Sequence, residues 1–157
     1  MEGCIYVSSF HRNVDFCVMY DLNAHRERIL EKLKGQYFMR HIGFELTEIS
    51  QGLVKGSMPL ADFAKQQLGF LHGGVTATVA DIVAGFAAYS CSPLDKNVVT
   101  SSLNVMYYHP GEGERVEAIG RVLKAGSRLH YCESEIYVIK ENEALLIARA
   151  TSTMVVI

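Results

Sequence analysis

The chain has 157 residues, 49% of them hydrophobic and 20% charged, which suits one domain with a substantial buried core. Its formal net charge of −2 leaves no basic footprint for nucleic acid. Its four cysteines (4, 17, 91 and 132) form no CxxC pair and have no histidine at metal-ligand spacing, so they read as reduced core residues, and no metal or cofactor is expected.

Residues 1–22 carry apolar pieces such as Phe16-Cys17-Val18-Met19-Tyr20, with His11, Arg12 and Asp15 among them. A basic leader region is missing, which argues against a secretory signal. No apolar run is read as reaching the length of a membrane span, so a cytoplasmic protein without membrane insertion is expected. Residues 1–22 are treated as an arm of unknown role, either flexible or contacting another subunit, and residues 23–157 as one domain.

Asn23 suits the N-cap of a helix over about 24–39. Ile29, Leu30, Leu33 and Tyr37 form its apolar stripe, and Gly35 loosens its last turns. Two strand-like runs, 44–49 and 53–60, flank Ser50-Gln51-Gly52, a hairpin signal in which Gly52 takes the positive-φ position. Residues 61–71 read as a loop with about one helical turn.

A helix is predicted over about 75–90. Gly73-Gly74 precedes it, so bare backbone N–H groups at its start can bind developing negative charge. Between Gly73 and Leu94 the only charged residue is Asp81. Val75, Val79, Ile82, Val83 and Phe86 share one face, while Asp81 lies among Ala77, Thr78, Ala84, Gly85 and Ala88, small residues that let another backbone approach. The helix is therefore expected to be buried all round, with one carboxylate on its crowded side. A buried carboxylate without a partner is costly. Asp81 is thus either the partner of a nearby loop or a group that does chemistry, and physics alone leaves both open.

After Ser92-Pro93 the hydrophobic period becomes two. Val99, Ser101, Leu103, Val105 and Tyr107 alternate with polar or outward positions, and strand-like runs follow over 115–124, 129–140 and 144–156. The breaks between them are short, which predicts antiparallel neighbours throughout. Hairpin, long helix and four strands make an α+β fold, one curved antiparallel sheet against one helix. Val98, Met106, Ile119, Leu123, Tyr131 and Ile139 fall off the core set and suggest an outer face that meets another subunit.

Gly69-x-x-His72-Gly73-Gly74, an aspartate nine residues after the histidine, and Leu103-Asn104-Val105-x-Tyr107-x-x-Pro110 together resemble the hotdog-fold acyl-CoA thioesterases. They are most like the branch of phenylacetyl-CoA thioesterase and the Arthrobacter-type 4-hydroxybenzoyl-CoA thioesterases. The resemblance covers about 42–157. It implies a sheet wrapped around the helix and a homodimer or homotetramer with acyl-CoA sites between subunits.

Thioester hydrolysis needs a polarised carbonyl, a stabilised oxyanion, and a nucleophile or activated water. The resemblance implies that the Gly73 N–H serves the oxyanion and that Asp81, from the partner subunit, attacks or activates water. It also implies that Gln66 holds substrate or water and that Thr100 completes the site. The phenylacetyl branch has Asn at the Gln66 position, whereas the hydroxybenzoyl branch uses Gln in this loop but Glu on the helix. That mixture leaves an aryl or a medium-chain acyl group open. His72 is expected to orient the Gly-Gly turn through its ring N–H groups rather than act as a base. Gly73 is expected to tolerate no side chain, and Gly74 to be less strict. Lys124, Ser127 and Arg128 flank a turn that in the family lies near the nucleotide, though solvated turn charges explain them equally well. Phe70, Tyr89, Met58 and Tyr108 are candidates for an acyl pocket or for plain core. Cys91 lacks a histidine partner, which argues against a cysteine nucleophile.

Two other functions fit the fold. An acyl-CoA sensor of this kind carries a DNA-binding helix pair beforehand, for which the helix near 24–39 is too little. A hydratase of this fold needs an Asp–His dyad in a loop motif that the sequence lacks.

Overall fold

A computed structural model describes residues 22–157, so the arm proposed over 1–22 lies outside the described residues except for Leu22. The first helix ends earlier than its apolar stripe suggests: α1 spans Leu22–Lys34, and a separate α2 spans Tyr37–Ile42. Asn23 lies inside α1 rather than capping a helix at 24. Gly35 breaks the helix instead of loosening it, and the Gly35 and Gln36 N–H groups close the turn on Lys32 and Leu33. The break lets α1 bury Ile29 while α2 buries Met39 and Ile42. Gly43, with φ 69°, ends α2 in the left-handed conformation, which glycine adopts freely.

The hairpin is as expected, with β1 over Glu45–Ser50 and β2 over Leu53–Pro59 joined through Gly52 at φ 69°. A 3₁₀ turn, Asp62–Ala64, occupies the loop before α3, Gly73–Cys91. β3 (Val98–Tyr107), β4 (Arg115–Ala125), β5 (Leu129–Lys140) and β6 (Glu143–Val156) complete an antiparallel sheet of order β1-β2-β4-β5-β6-β3. β3 and β4, expected to be neighbours, are not. β3 pairs only with β6 and forms a sheet edge, and β4 sits between β2 and β5. The Tyr108 and His109 N–H groups both donate to Ile147 O, so the chain leaves β3 across β6. Extended chain at about 3.3 Å per residue spans three strand spacings of about 4.8 Å within that connection.

The sheet wraps α3, the hotdog arrangement that the resemblance implies. Val79, Val83 and Ala87 of the helix meet Val116, Ala118, Ile136 and Val138 of the sheet in one buried core. Polar groups fix the helix along its length. Ser134 Oγ donates to Ala80 O at 2.8 Å, and His130 Nδ1 lies 3.1 Å from Ala88 O, which requires the proton on Nδ1. At the C-terminal end the Arg28 guanidinium stacks 3.8 Å from the Tyr89 ring centroid and donates to the Tyr89 carbonyl at 2.6 Å. A cation there satisfies orphan carbonyls and the helix dipole.

Two expectations about α3 need correction. Its residues are long and apolar enough to cross a membrane by length and composition, contrary to the reading that no run reaches that length, but they form the core helix inside the sheet. Nor is the helix buried all round: Thr78, Asp81, Ile82 and Gly85 are half-buried and line an open cavity. A face that turns toward the β3 edge and the α1–α2 segment has no sheet to cover it.

The outer-face set also changes. A bulge at Ser101 reverses the alternation of β3, so that Val98 packs against the core. Ile139 is 7% exposed, because an irregularity after Ile136 leaves Val138 and Ile139 both buried. Met106, Leu123 and Tyr131 are exposed, and Ile119 is half-buried. The centre of that face is polar, with Glu135 paired to Arg121 at 3.0 Å and to Arg149 at 2.5 Å.

Candidate active site

The start of α3 is set by its cap. His72 has extended backbone, and its ring Nδ1 accepts the Gly74 N–H at 2.9 Å. Its carbonyl accepts the Val75 and Thr76 N–H groups at 2.9 and 3.1 Å. Of the first-turn donors that a helix leaves unpaired, only the Gly73 N–H then has no partner among the described residues. His72 is therefore a capping residue, but the ring accepts the hydrogen bond rather than donating it. The Tyr107 hydroxyl donates to Gly73 O at 2.9 Å and ties this turn to β3.

Gln66 lies in the tight loop ahead of the helix. Its Oε1 accepts the Leu68 N–H at 2.9 Å, and Gly69, at φ 86°, reverses the chain. Gln66 and Gly73 line one cavity of about 370 Å³, together with Phe70, Tyr107, Tyr108 and His109.

Asp81 stands two turns further along α3. Its Oδ1 accepts the Thr100 hydroxyl at 2.8 Å, so the lone carboxylate has one defined partner on the β3 edge. Asp81 and Thr100 share a different cavity, of about 490 Å³, bounded by α3, β3 and the α1–α2 segment. From Gly73 to Asp81 the helix rises about 12 Å and turns about 80° beyond whole turns. The four predicted catalytic residues therefore form two pairs, Gln66 with Gly73 and Asp81 with Thr100, and one chain does not bring the pairs together.

Lys124, Ser127 and Arg128 are exposed at the β4–β5 turn and make no ion pair among the described residues. Ala125, His130, Met154 and Thr100 lie in one row across the sheet, so this turn is at the Thr100 end but three strands away. The suggested acyl-pocket residues divide: Tyr89 lines the larger cavity, Phe70 and Tyr108 the smaller, and Met58, 1% exposed, is core. Burial raises the Cys91 thiol, and burial with the neighbouring Cys91 pushes Cys132 up to about 12, so neither is a thiolate nucleophile at neutral pH.

Tyr107 was missed as a contact of the helix start, although it stands inside the Leu103–Pro110 motif. The α2 wall of the larger cavity could not be placed from sequence, because it lies ahead of the region that carries the resemblance.

The two glycines differ in the space they leave. A Cβ at Gly73 would meet the Tyr107 ring at 3.6 Å, ordinary contact, and its φ is not positive. A Cβ at Gly74 would lie 3.0 Å from His72 Nδ1 and 3.3 Å from Cε1, crowding the cap. In the free chain the order of steric tolerance is thus the reverse of the expected one. Gly73→Ala should keep or raise the melting temperature, whereas Gly74→Ala should be less stable than Gly73→Ala by about 1 kcal/mol, the worth of a cap. Thermal melts of the two variants check this, and the opposite order contradicts the cap geometry.

Residues 68–145 match the thioesterase superfamily. The chain is 30% identical over 149 aligned positions to the medium/long-chain acyl-CoA thioesterase YigI of Escherichia coli, covering 80% of this chain and 92% of that protein. It is 27% identical over 115 residues to the 1,4-dihydroxy-2-naphthoyl-CoA hydrolase of Escherichia coli, covering 71% of this chain and 85% of the hydrolase. The crystal structure of a thioesterase family protein from Silicibacter pomeroyi superposes with a TM-score of 0.83 at 29% identity, over 85% of this chain and 98% of that one.

Proposed function

We propose, because the chain belongs to the thioesterase superfamily, that it hydrolyses acyl-CoA thioesters to a free acid and coenzyme A. The Gly73 N–H, at the positive end of α3, receives the thioester oxygen, and the oxyanion gathers there as the carbonyl is attacked. Asp81 of a second subunit either takes a proton from the water that attacks the carbonyl carbon, or attacks that carbon itself to form an acyl–aspartyl anhydride, which water then cleaves to the free acid and the regenerated carboxylate. Collapse of the tetrahedral intermediate breaks the C–S bond and releases the coenzyme A thiolate. Thr100 orients the carboxylate through its 2.8 Å hydrogen bond, and Gln66 holds substrate or water beside Gly73. His72 and Gly74 preserve the helix start against which substrate binds. Lys124, Ser127 and Arg128 supply cationic and hydroxyl contacts to the phosphates of coenzyme A.

The observation that carries this reading is the separation of a bare helix N–H from a hydrogen-bonded carboxylate, each in its own cavity. The β3 edge supports joining them across a dimer. An unpaired edge strand is a natural site for antiparallel pairing with a copy of itself. A two-fold axis between Leu103 and Asn104 sets Thr100 of one chain opposite Tyr107 of the other, and Tyr107 is bonded to Gly73. Each Asp81–Thr100 pair then approaches the helix start of the second copy. A tetramer is a further step that the described residues do not argue for.

The test is release of free thiol from a panel of alkyl- and aryl-acyl-CoAs by the purified protein. Release confirms hydrolysis. Binding of acyl-CoA without release supports a sensor instead, and loss of enoyl-CoA absorbance without thiol release supports a hydratase.

A further inference from the structure

Gly85 lies in the interior of α3, where glycine costs about 1 kcal/mol relative to alanine. Neither common reason for a glycine applies. Its φ is not positive, and no atom lies within 4 Å of where its Cβ would stand. Gly56 and Gly120, by contrast, answer to close contact: a Cβ at Gly56 would lie 2.5 Å from the Phe44 ring, and one at Gly120 would lie 2.4 Å from helix backbone. The space in front of Gly85 is the larger cavity, and Asp81 stands one turn earlier on the same face.

From Asp81 toward the C-terminal end of α3 the walls become apolar, with Ile82, Phe86 and Tyr89 on one side and Phe38 and Met39 of α2 on the other. Phe86, Tyr89 and Met39 are themselves held in the core, so these walls are fixed. Phe38, 56% exposed, forms the solvent-facing part of the wall. Lys32, Gln36 and Asn97 supply most of the remaining polar lining. The helix rises about 12 Å between Asp81 and Tyr89. A volume of about 490 Å³ is that of an ordinary small-molecule site, and its apolar lining extends over two helical turns beyond Asp81.

We infer that this cavity is the acyl-tail subsite for a linear alkyl chain of medium length, and that Gly85 is the specificity-determining residue that keeps it open. The inference rests on the proposed reading in so far as Asp81 marks the reacting carbon. The tail then runs from Asp81 past Gly85, beneath Phe38 and Met39, toward Tyr89.

The experiment compares wild type, Gly85→Leu and Phe38→Ala with butanoyl-CoA and decanoyl-CoA, and measures subunit assembly alongside. In Gly85→Leu the ratio of decanoyl to butanoyl kcat/KM should fall at least about ten-fold, because the new side chain fills the path of the longer tail. Its melting temperature should hold or rise, since leucine favours the helix. Phe38→Ala removes the opposite, half-solvated wall and should raise the decanoyl KM several-fold more than the butanoyl KM. An unchanged ratio in both variants overturns the subsite. A parallel loss on both substrates with dissociation of the assembly also overturns it, and places Gly85 at a subunit contact instead. If wild type releases no thiol, the hydrolytic reading fails separately. The subsite is then decided by calorimetric binding of a decyl-CoA thioether, tight to wild type and weakened in Gly85→Leu if it is real, and equal in both if it is not.

Discussion

Asp81→Asn is expected to fold and assemble like wild type and to lose at least about 10²-fold of its acyl-CoA hydrolysis. The exchange is nearly isosteric. The Thr100 hydroxyl, now 2.8 Å from Oδ1, can donate to an amide oxygen in the same place. Asp81 is half-buried and makes no ion pair among the described residues, so removing its charge disrupts no charge pair in the fold. What disappears is the only carboxylate that lines the larger cavity. Thiol release and thermal melting on the same preparation check the expectation. Turnover near wild type from a properly assembled variant would remove Asp81 from the mechanism.

Gly120→Ala should abolish the native fold or weaken it by about 3 kcal/mol or more, a large part of the 5–15 kcal/mol that holds an ordinary domain together. Gly120 lies in β4, opposite Val54 of β2 and Ser134 of β5. A Cβ there would stand 2.4 Å from both the carbonyl carbon and the oxygen of Val83, and 2.7 Å from Ala84 N. These are backbone atoms in the middle of α3, so no side-chain rotation relieves the clash; helix and sheet must separate. The same approach puts Ala80 O within reach of Ser134 and thereby fixes where the next residue, Asp81, emerges. Chemical denaturation of Gly120→Ala beside wild type measures the effect. Unchanged stability would mean that the helix lies further from the sheet than described.

Much of this was legible in the sequence, for identifiable reasons. The change of period after Ser92-Pro93 marked the strands, because alternation survives wherever one face of a sheet is buried. Gly73-Gly74 ahead of helix formers marked the start of α3, and the isolated charge marked Asp81. What failed depended on neighbours distant in sequence. Nothing local distinguishes a hairpin from a chain that crosses two strands, so β3 was placed beside β4 when it pairs with β6. The bulge at Ser101 shifted the alternation by one and moved Val98 to the core side. Asp81 was expected on a crowded helix face; that face is open because the sheet ends at β3. Gly120 stood in a strand pattern, where a lone glycine signals a close backbone approach, and went unread. The division of the site into two cavities depends on the helix's rise and rotation, and its meaning depends on a second chain.

The central claim is that Gln66 and Gly73 of one chain serve Asp81 and Thr100 of another. Mixing Asp81→Asn with Gln66→Ala, each nearly inactive alone, and allowing subunits to exchange tests it most directly. A hybrid dimer holds one site with both native halves and one with neither. Random pairing should therefore restore about a quarter of wild-type thiol release, because half of the dimers are hybrids and each has one intact site of two. Activity that stays at the average of the separate variants, with exchange verified, would contradict the shared site, and so would full wild-type activity from a particle that light scattering shows to be a monomer.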